Sequence, residues 1–396
     1  MNSLQGVRVL DLTRMLAGPY GTMLLADLGA EVLKIERPVG GDEIRSVGPH
    51  FVHGESVYFL SVNRGKRSVA LDLARPEGRE LLRRLAMRCD VVVENFRAGV
   101  AERLGCDAAT LMAANPRLIV CGITAFGRTG PDRDLPAFDL TLQARGGMMG
   151  LTGDPAGQPV RCGVPMGDLA GGLFSALAVS AALYERERTG VGRFIDLSLL
   201  DCQVGLLSYA AGNWLMAGDD MGRQGSGHAY AVPYQRFETS DGHIVIAVFT
   251  DAFWPGFCRA LTRPDWITDP RFATNAARRG HLAEVQSLVG QRLSEETTAH
   301  WLTRLYGEGV PAGPVQRVSE VCADPQVLAR GMIATMEHPV AGTVRAAGDP
   351  LRAGEGERAG FIAAPTLGAD TDAVLLGLLG VGVTELAALR ASGVVG

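Results

Sequence analysis

The sequence predicts an α/β protein: a large domain built on a parallel sheet covered by helices, followed by a smaller α+β domain. Three observations lead there. Short apolar runs alternate with helical segments through the first half, the composition shifts near residue 218, and a hairpin signal followed by further helices comes after it. With 396 residues and 47% hydrophobic side chains, the chain can bury a large core and has the length of about two domains.

Taken in order, residues 8–12 read as a strand, 18–28 as a helix, 31–35 as a strand, 76–88 as a helix, and 91–93 and 118–123 as strands. Each strand is a short, nearly continuous apolar run, as expected where helices cover both faces of a sheet. No GxGxxG follows the first strand and no GxxxxGK[ST] occurs, so nicotinamide and nucleoside triphosphate sites are unsupported. LAGGLFSALAVSAALYERE, residues 169–187, is rich in Ala and Leu and ends in charges, which predicts a helix whose N-terminus is Gly167-Asp168. RTGVGRFIDLSLLD then reads as a Gly-rich turn into a strand, followed by a helix through residue 215. Residues 218–227, rich in Gly and Asp, predict a loop or linker. YQRFETSDGHIVIAVF predicts a hairpin turning at Asp241-Gly242. Helices are expected at 281–293 and 296–307. The division is therefore 1–215, large domain; 225–325, small α+β domain; 330–396, a C-terminal segment with few signals of its own.

Composition removes several function classes. A formal charge of −5 argues against a nucleic-acid or polyanion-coating protein. Lysine occurs only at Lys34 and Lys66, so the positive charge is nearly all Arg, suited to bidentate phosphate or carboxylate contacts. Seven scattered cysteines without CxxC spacing read as reduced, mostly buried thiols. His50, His53, His243, His281, His300 and His338 lack metal-ligand spacing, so no metal is expected. There is no GxSxG elbow. Trp214, Trp254, Trp266 and Trp301 are expected to be packing residues. No signal peptide is visible, and the longest apolar stretch, 173–184, falls short of the roughly 20 residues that span a bilayer. The expectation is a cytoplasmic enzyme without membrane contact.

MGDLAGG, with Asp168 at its centre, is the most informative segment. Gly171, Gly172 and Ser175 share the helical face of Asp168, which would leave the carboxylate uncovered and open a passage for substrate. A helix N-terminus should also hold that carboxylate anionic and nucleophilic. The alternative is an ordinary helix cap beside glycines that permit close helix packing.

Several separated motifs then occur in one order: LQGVRVLDLTRMLAGPYGTMLLADLGAEVLKIERPVGGDEIR at the start, NRGKRSVALDLARPEG, VVVENFRAGVAERLG, GDLAGGLF, and the late VPAGPV and PTLGADT. Together they resemble the class III CoA-transferases, the family of formyl-CoA and carnitine CoA-transferases and α-methylacyl-CoA racemase, over almost the whole chain. The resemblance implies a Rossmann-like large domain and a homodimer whose subunits interlock like links of a chain. It also implies coenzyme A as substrate and product, carried between an acyl-CoA and a carboxylic acid.

By that resemblance Asp168 is the nucleophile, forming first an aspartyl-acyl anhydride and then an aspartyl-CoA thioester. Oxyanion donors are expected from the turn Gly225-Ser226-Gly227, which is alternatively an interdomain linker, and from the amides near Gly167 and Asp168. The family's CoA contacts fall on Ala17, Arg37, Leu71, Asn95, Phe96, Arg103 and Leu104, with Arg37 and Arg103 toward phosphates. Where the formyl-CoA enzyme has a lysine this chain has Ala74, with Arg75 as a substitute. Tyr58 corresponds to a tyrosine near the substrate. Phe138 stands before Asp139 where racemases place a histidine base, and phenylalanine cannot move a proton, so transfer ranks above racemisation. QPVRCGVPMGDLAGGLF and GSGHAYAVPYQRFETSDGHIV resemble the branch acting on dicarboxylates with succinyl-CoA as donor. A distal carboxylate would call for Arg161, or else His228 or Arg45. Racemisation, intramolecular CoA transfer within one dicarboxylate, and a silent CoA-binding scaffold are the competing readings.

Overall fold

The computed structural model describes residues 2–351 and 360–396, which gather into two compact units. The first comprises residues 1–148, 161–208 and 325–396, and the second residues 149–160 and 209–324.

The first unit is organised by six parallel strands: β1 (Arg8–Asp11), β2 (Glu31–Glu36), β3 (Lys66–Ala70), β4 (Val91–Glu94), β5 (Ile119–Thr124) and β6 (Phe194–Ser198). Their order across the sheet is β3-β2-β1-β4-β5-β6. Alternate residues of each strand feed opposite cores because successive side chains point to opposite faces. Val9, Val32, Val91, Val93 and Ile119 go to one core, with helices α1 (Ala17–Asp27) and α6 (Met166–Thr189). Leu10, Leu33, Val92 and Val120 go to the other, with α3 (Pro76–Ala86) and the C-terminal segment. Shorter helices complete the frame: α2 (Val57–Val62), α4 (Val100–Leu104), α5 (Asp139–Arg145) and α7 (Leu199–Leu206). The last segment ties down the edge strand β3: Asp370 accepts from the Ser68 amide and pairs with Arg67, Thr371 Oγ1 accepts from the Ala70 amide, and Val395 bridges Leu71.

The second unit has a three-stranded sheet of β7 (Tyr234–Glu238), β8 (His243–Ala247) and β9 (Ala312–Pro314). Its core holds Trp254, Phe257, Trp266, Phe272 and Trp301. Arg278 is fully buried there, lying 4.4 Å over the Trp254 ring and donating to Val232 O, Phe272 O and Asp251.

Several expectations are corrected. Residues 149–160 group with the second unit, and the crossover into it falls at 208/209. The helix expected through residue 215 breaks at Ser208, whose φ of 50° lies in the left-handed region, and continues as the turn Tyr209–Gly212 and a π-type segment. Trp214 in that segment is 60% exposed and packs no core. Helix α6 runs 24 residues, long and apolar enough to cross a bilayer by those two criteria, where a shorter apolar stretch was expected. One of its faces is filled by α1 and the sheet.

Candidate active site

The sheet changes direction between β1 and β4, and at such a switch point the loops leaving neighbouring strands diverge to open a crevice beyond the strands' carboxyl ends. Here that crevice is a cavity of about 1470 Å³. The segments after β1 (from Leu12 to Ala17), β3 (from Leu71 to Ala74), β4 (from Asn95 to Leu104) and β5 (from Ile123 to Ala125) line it, as do Asp168 and Leu199.

Asp168 is the third residue of α6 and half-buried in the cavity wall. The preceding Pro165 supplies no side-chain cap. Instead Asp139, at the start of α5, caps the helix from 29 residues away: its Oδ1 accepts from Gly167 N at 2.7 Å and Asp168 N at 3.3 Å. The helix terminus is thus spent on another carboxylate, and two expectations fall. The Gly167 and Asp168 amides are not free for an oxyanion, and Asp168 is not held in its anion. Burial, followed by the nearby Asp139 charge, pushes it up to about 7.

The glycine face next to Asp168 is packed rather than cleared. A Cβ on Gly172 would stand 2.8 Å from Ala17 O and 3.1 Å from Gly21 N, and one on Gly171 would stand 2.1 Å from Leu199 Cδ2. Ser175 is buried and donates to Gly172 O. These residues let α1 lie against α6, so the packing alternative accounts for them. The open side of Asp168 is the cavity.

All seven residues expected to meet CoA line that cavity: Ala17, Arg37, Leu71, Asn95, Phe96, Arg103 and Leu104. Ala17 opens α1, whose N-terminus has no capping side chain. Arg37 is exposed and paired with Glu43 at 3.2 Å. Arg103 makes no ion pair among the described residues. The Asn95 side chain is engaged on the Arg14 backbone, accepting from its N–H and donating to its C=O, so it shapes the wall. Arg79 lines the cavity beside Ala74, whereas Arg75 pairs with Asp72 and does not, correcting the expected substitute. Tyr58, Phe138 and Arg161 are also in the wall. The Tyr58 phenol is pushed up to about 12, by burial first and then by the Asp168 charge, so it keeps its proton and can donate. Phe138 is 70% exposed. Arg161 is exposed and makes no ion pair among the described residues.

Arg45 is not available to a substrate. It forms a two-point pair with Glu36 at 2.7 and 2.8 Å, donates to Pro365 O and lies 3.6 Å over the Phe59 ring. Gly225, Ser226, Gly227 and His228 belong to the second unit. There Gly225 N donates to Gly153 O, Gly227 N to Gln224 O, and Ser226 Oγ accepts from Arg236 N, so the two glycine amides expected as oxyanion donors are already spent. His228 sits among Tyr209, Tyr230, Tyr234 and Phe249, with its Nδ1 accepting from Tyr230 N.

Sequence reasoning passed over Asp139, Gln143 and Gln203. Gln143 donates to Asp139 Oδ2 at 2.7 Å and accepts from Cys162 N, while Gln203 is fully buried beside Gly167. The available signal was the absence of a Ser, Thr, Asp or Asn cap before the MGD segment, which obliges a distant acceptor to serve.

The chain is similar to known proteins over nearly its whole length. Residues 4–371 match the family described as CoA-transferase family III. The chain is 41% identical to succinyl-CoA:glutarate CoA-transferase of Mus musculus over 395 residues, covering 100% of this chain and 91% of that one. It is 42% identical to succinyl-CoA:mesaconate CoA-transferase of Haloarcula hispanica, covering 89% and 90%. A crystal structure of a CAIB/BAIF family protein from Brucella suis superposes with a TM-score of 0.85 at 39% identity, covering 96% of this chain and 100% of that one.

Proposed function

We propose, from the premise that this chain belongs to CoA-transferase family III, that it moves CoA from succinyl-CoA or another dicarboxylyl-CoA to a dicarboxylic acid through covalent intermediates on Asp168. One observation carries this reading: the Asp168 carboxylate shares a single cavity with all seven residues expected to contact CoA.

The chemistry follows from that arrangement. A carboxylate in a partly desolvated wall is a stronger nucleophile than one in water, and its attack on the thioester carbonyl expels CoA thiolate and leaves a mixed anhydride. Return of the thiolate to the aspartyl carbonyl releases the donor acid and leaves CoA on Asp168. The acceptor carboxylate then reverses the sequence. Tyr58, which keeps its proton and lines the same cavity as Asp168, would donate to a carbonyl oxygen of the substrate. Arg79 and Arg103 offer guanidinium groups to the CoA phosphates, and Arg161, without an ion pair among the described residues, offers one to a distal substrate carboxylate. Phe138, where a racemase needs a base, cannot exchange a proton.

The reading makes a kinetic demand. Initial rates with succinyl-CoA and a panel of dicarboxylic acceptors should give ping-pong patterns, and Arg161→Ala should raise KM for dicarboxylates about tenfold or more while leaving monocarboxylates alone. Equal turnover of mono- and dicarboxylyl donors by both proteins would remove the dicarboxylate assignment. Exposed apolar side chains, Leu173, Leu177 and Tyr184 on α6 and Trp214, Leu215 and Met216 in the second unit, suit burial in a homodimer, which sedimentation velocity would register.

A further inference from the structure

The two aspartates at the head of α6 stand close together, and no Lys, Arg or His among the described residues is ion-paired with either. Asp139 Oδ1 accepts from Gly167 N and Asp168 N, its Oδ2 accepts from Gln143, and Gln143 is fixed in turn by the Cys162 amide. The Asp168 carboxylate accepts no hydrogen bond among the described residues. Behind Gly167 lies Gln203, fully buried, with neither amide atom partnered among the described residues. A Cβ on Gly167 would stand 2.4 Å from Gln203 Nε2 and 3.0 Å from Asp139 Oδ1, so the glycine keeps this polar packing intact.

We propose that Asp139 is a positioning residue that holds the Asp168 carboxylate in place under electrostatic repulsion, a repulsion that the first acyl transfer discharges. The inference rests on Asp168 being the nucleophile. In that step an Asp168 oxygen bonds to the acyl carbon, the carbon–sulfur bond breaks with its electron pair, and the negative charge passes to CoA thiolate. No proton moves. Asp139 then faces a neutral anhydride, and after the thiolate returns and the acid leaves as its carboxylate, a neutral thioester. Both covalent states are relieved of a repulsion that the resting enzyme carries.

Other charges do not perform this task. Packed against α6 are Tyr20 of α1, Cys202 of α7 and Cys121 of the sheet, while Asp27 is paired with Arg64 and Asp196 accepts from the Arg128 amide. On α5, Arg145 is tied to Asp132, and Tyr58 from α2 stays neutral. Among the described residues, Asp139 is the charged neighbour that bears on Asp168.

The test is Asp139→Asn, which keeps the size and an accepting oxygen while removing the charge. Half-reaction rates with succinyl-CoA as probe, followed from pH 5 to 9, should show the acid limb moved down by about one pH unit, with the plateau lowered several-fold as the nucleophile becomes less basic. The fraction of enzyme trapped by hydroxylamine at equilibrium with donor alone should also fall. An unmoved limb with an unchanged trapped fraction would overturn the proposal, even if activity or stability dropped. Should the variant not fold, Gln143→Leu, which strips a donor from Asp139 and leaves its charge, should move the limb upward, and an unmoved limb there is equally contrary. If the wild-type protein turns over without label on Asp168, the functional reading fails as well. A wild-type label with an indifferent Asp139→Asn variant overturns only the role of Asp139.

Discussion

At the scale of single residues, the protein keeps a carboxylate where its charge is costly. Burial and Asp139 raise Asp168 to about 7, so its proton is held more tightly in the folded than in the unfolded chain. The linked stability is present below the ordinary carboxylate range, near pH 4, and is lost as pH rises through about 7. Asp168→Asn should therefore be more stable than the native protein at pH 8, by on the order of 1 kcal/mol after allowance for partial solvation, and should show little gain at pH 4. Thermal unfolding at the two pH values measures this, and a destabilised variant at pH 8 would refute it. The same ionisation predicts that the first half-reaction slows about tenfold per pH unit below pH 7. Sequence alone led to the opposite electrostatics, because a helix N-terminus favours a carboxylate only while its amides are free, and the side chain that occupies them comes from a distant helix.

At the scale of elements, the seam between α1 and α6 decides how accurately Asp168 is placed. Gly172 faces backbone atoms of α1, whereas Gly171 faces the movable end of Leu199. Gly172→Ala should destabilise the protein by about 2–3 kcal/mol, and Gly171→Ala by less, since overpacking costs most where nothing can rotate away. Denaturant titration of both variants separates them, and equal losses would show that the seam yields. The strands and main helices were legible because each is a short apolar run or a well-marked apolar helix bounded by glycine, proline or charge. The break at Ser208 was not, because residues 199–215 are mostly apolar on both sides of it and the left-handed residue is a serine rather than a glycine.

At the scale of the whole molecule, the first unit is built around charge as well as oil. Lys34 and Lys66, the only lysines in the sequence, are both fully buried. Lys66 joins Asp11, Pro19 O and Asn63, Lys34 joins Asp42 and Thr13 O, and Asp11 also takes Thr13 and Thr22. Burial outweighs these partners at Lys66, bringing it down to about 8, while two lysines and two hydroxyls hold Asp11 at about 2. Lys66→Met strands a buried carboxylate and should cost about 3–5 kcal/mol. In the folded protein neither lysine should be acylated by excess succinyl-CoA, which peptide mapping would show, and rapid modification of either would contradict the burial. At this scale the sequence made the parallel sheet and its late return visible by pattern and resemblance. Residues 149–160 escaped because a short polar stretch carries no mark of the unit it packs with. Of the expected site, Asp168 and the residues expected to meet CoA line one cavity, while the turn at Gly225 lies in the second unit, and the wiring was illegible. Arg45 and Asn95 are the right chemical types, yet Glu36 and the Arg14 backbone had prior claim on them.

The proposed transfer depends on covalent chemistry at the Asp168 side chain. Incubation with succinyl-CoA in the absence of an acceptor, quenching with hydroxylamine and mapping by mass spectrometry tests it most directly. A hydroxamate on Asp168, absent from Asp168→Asn together with turnover, is the predicted result. Turnover without a label there, or undiminished turnover in the Asn variant, would contradict it.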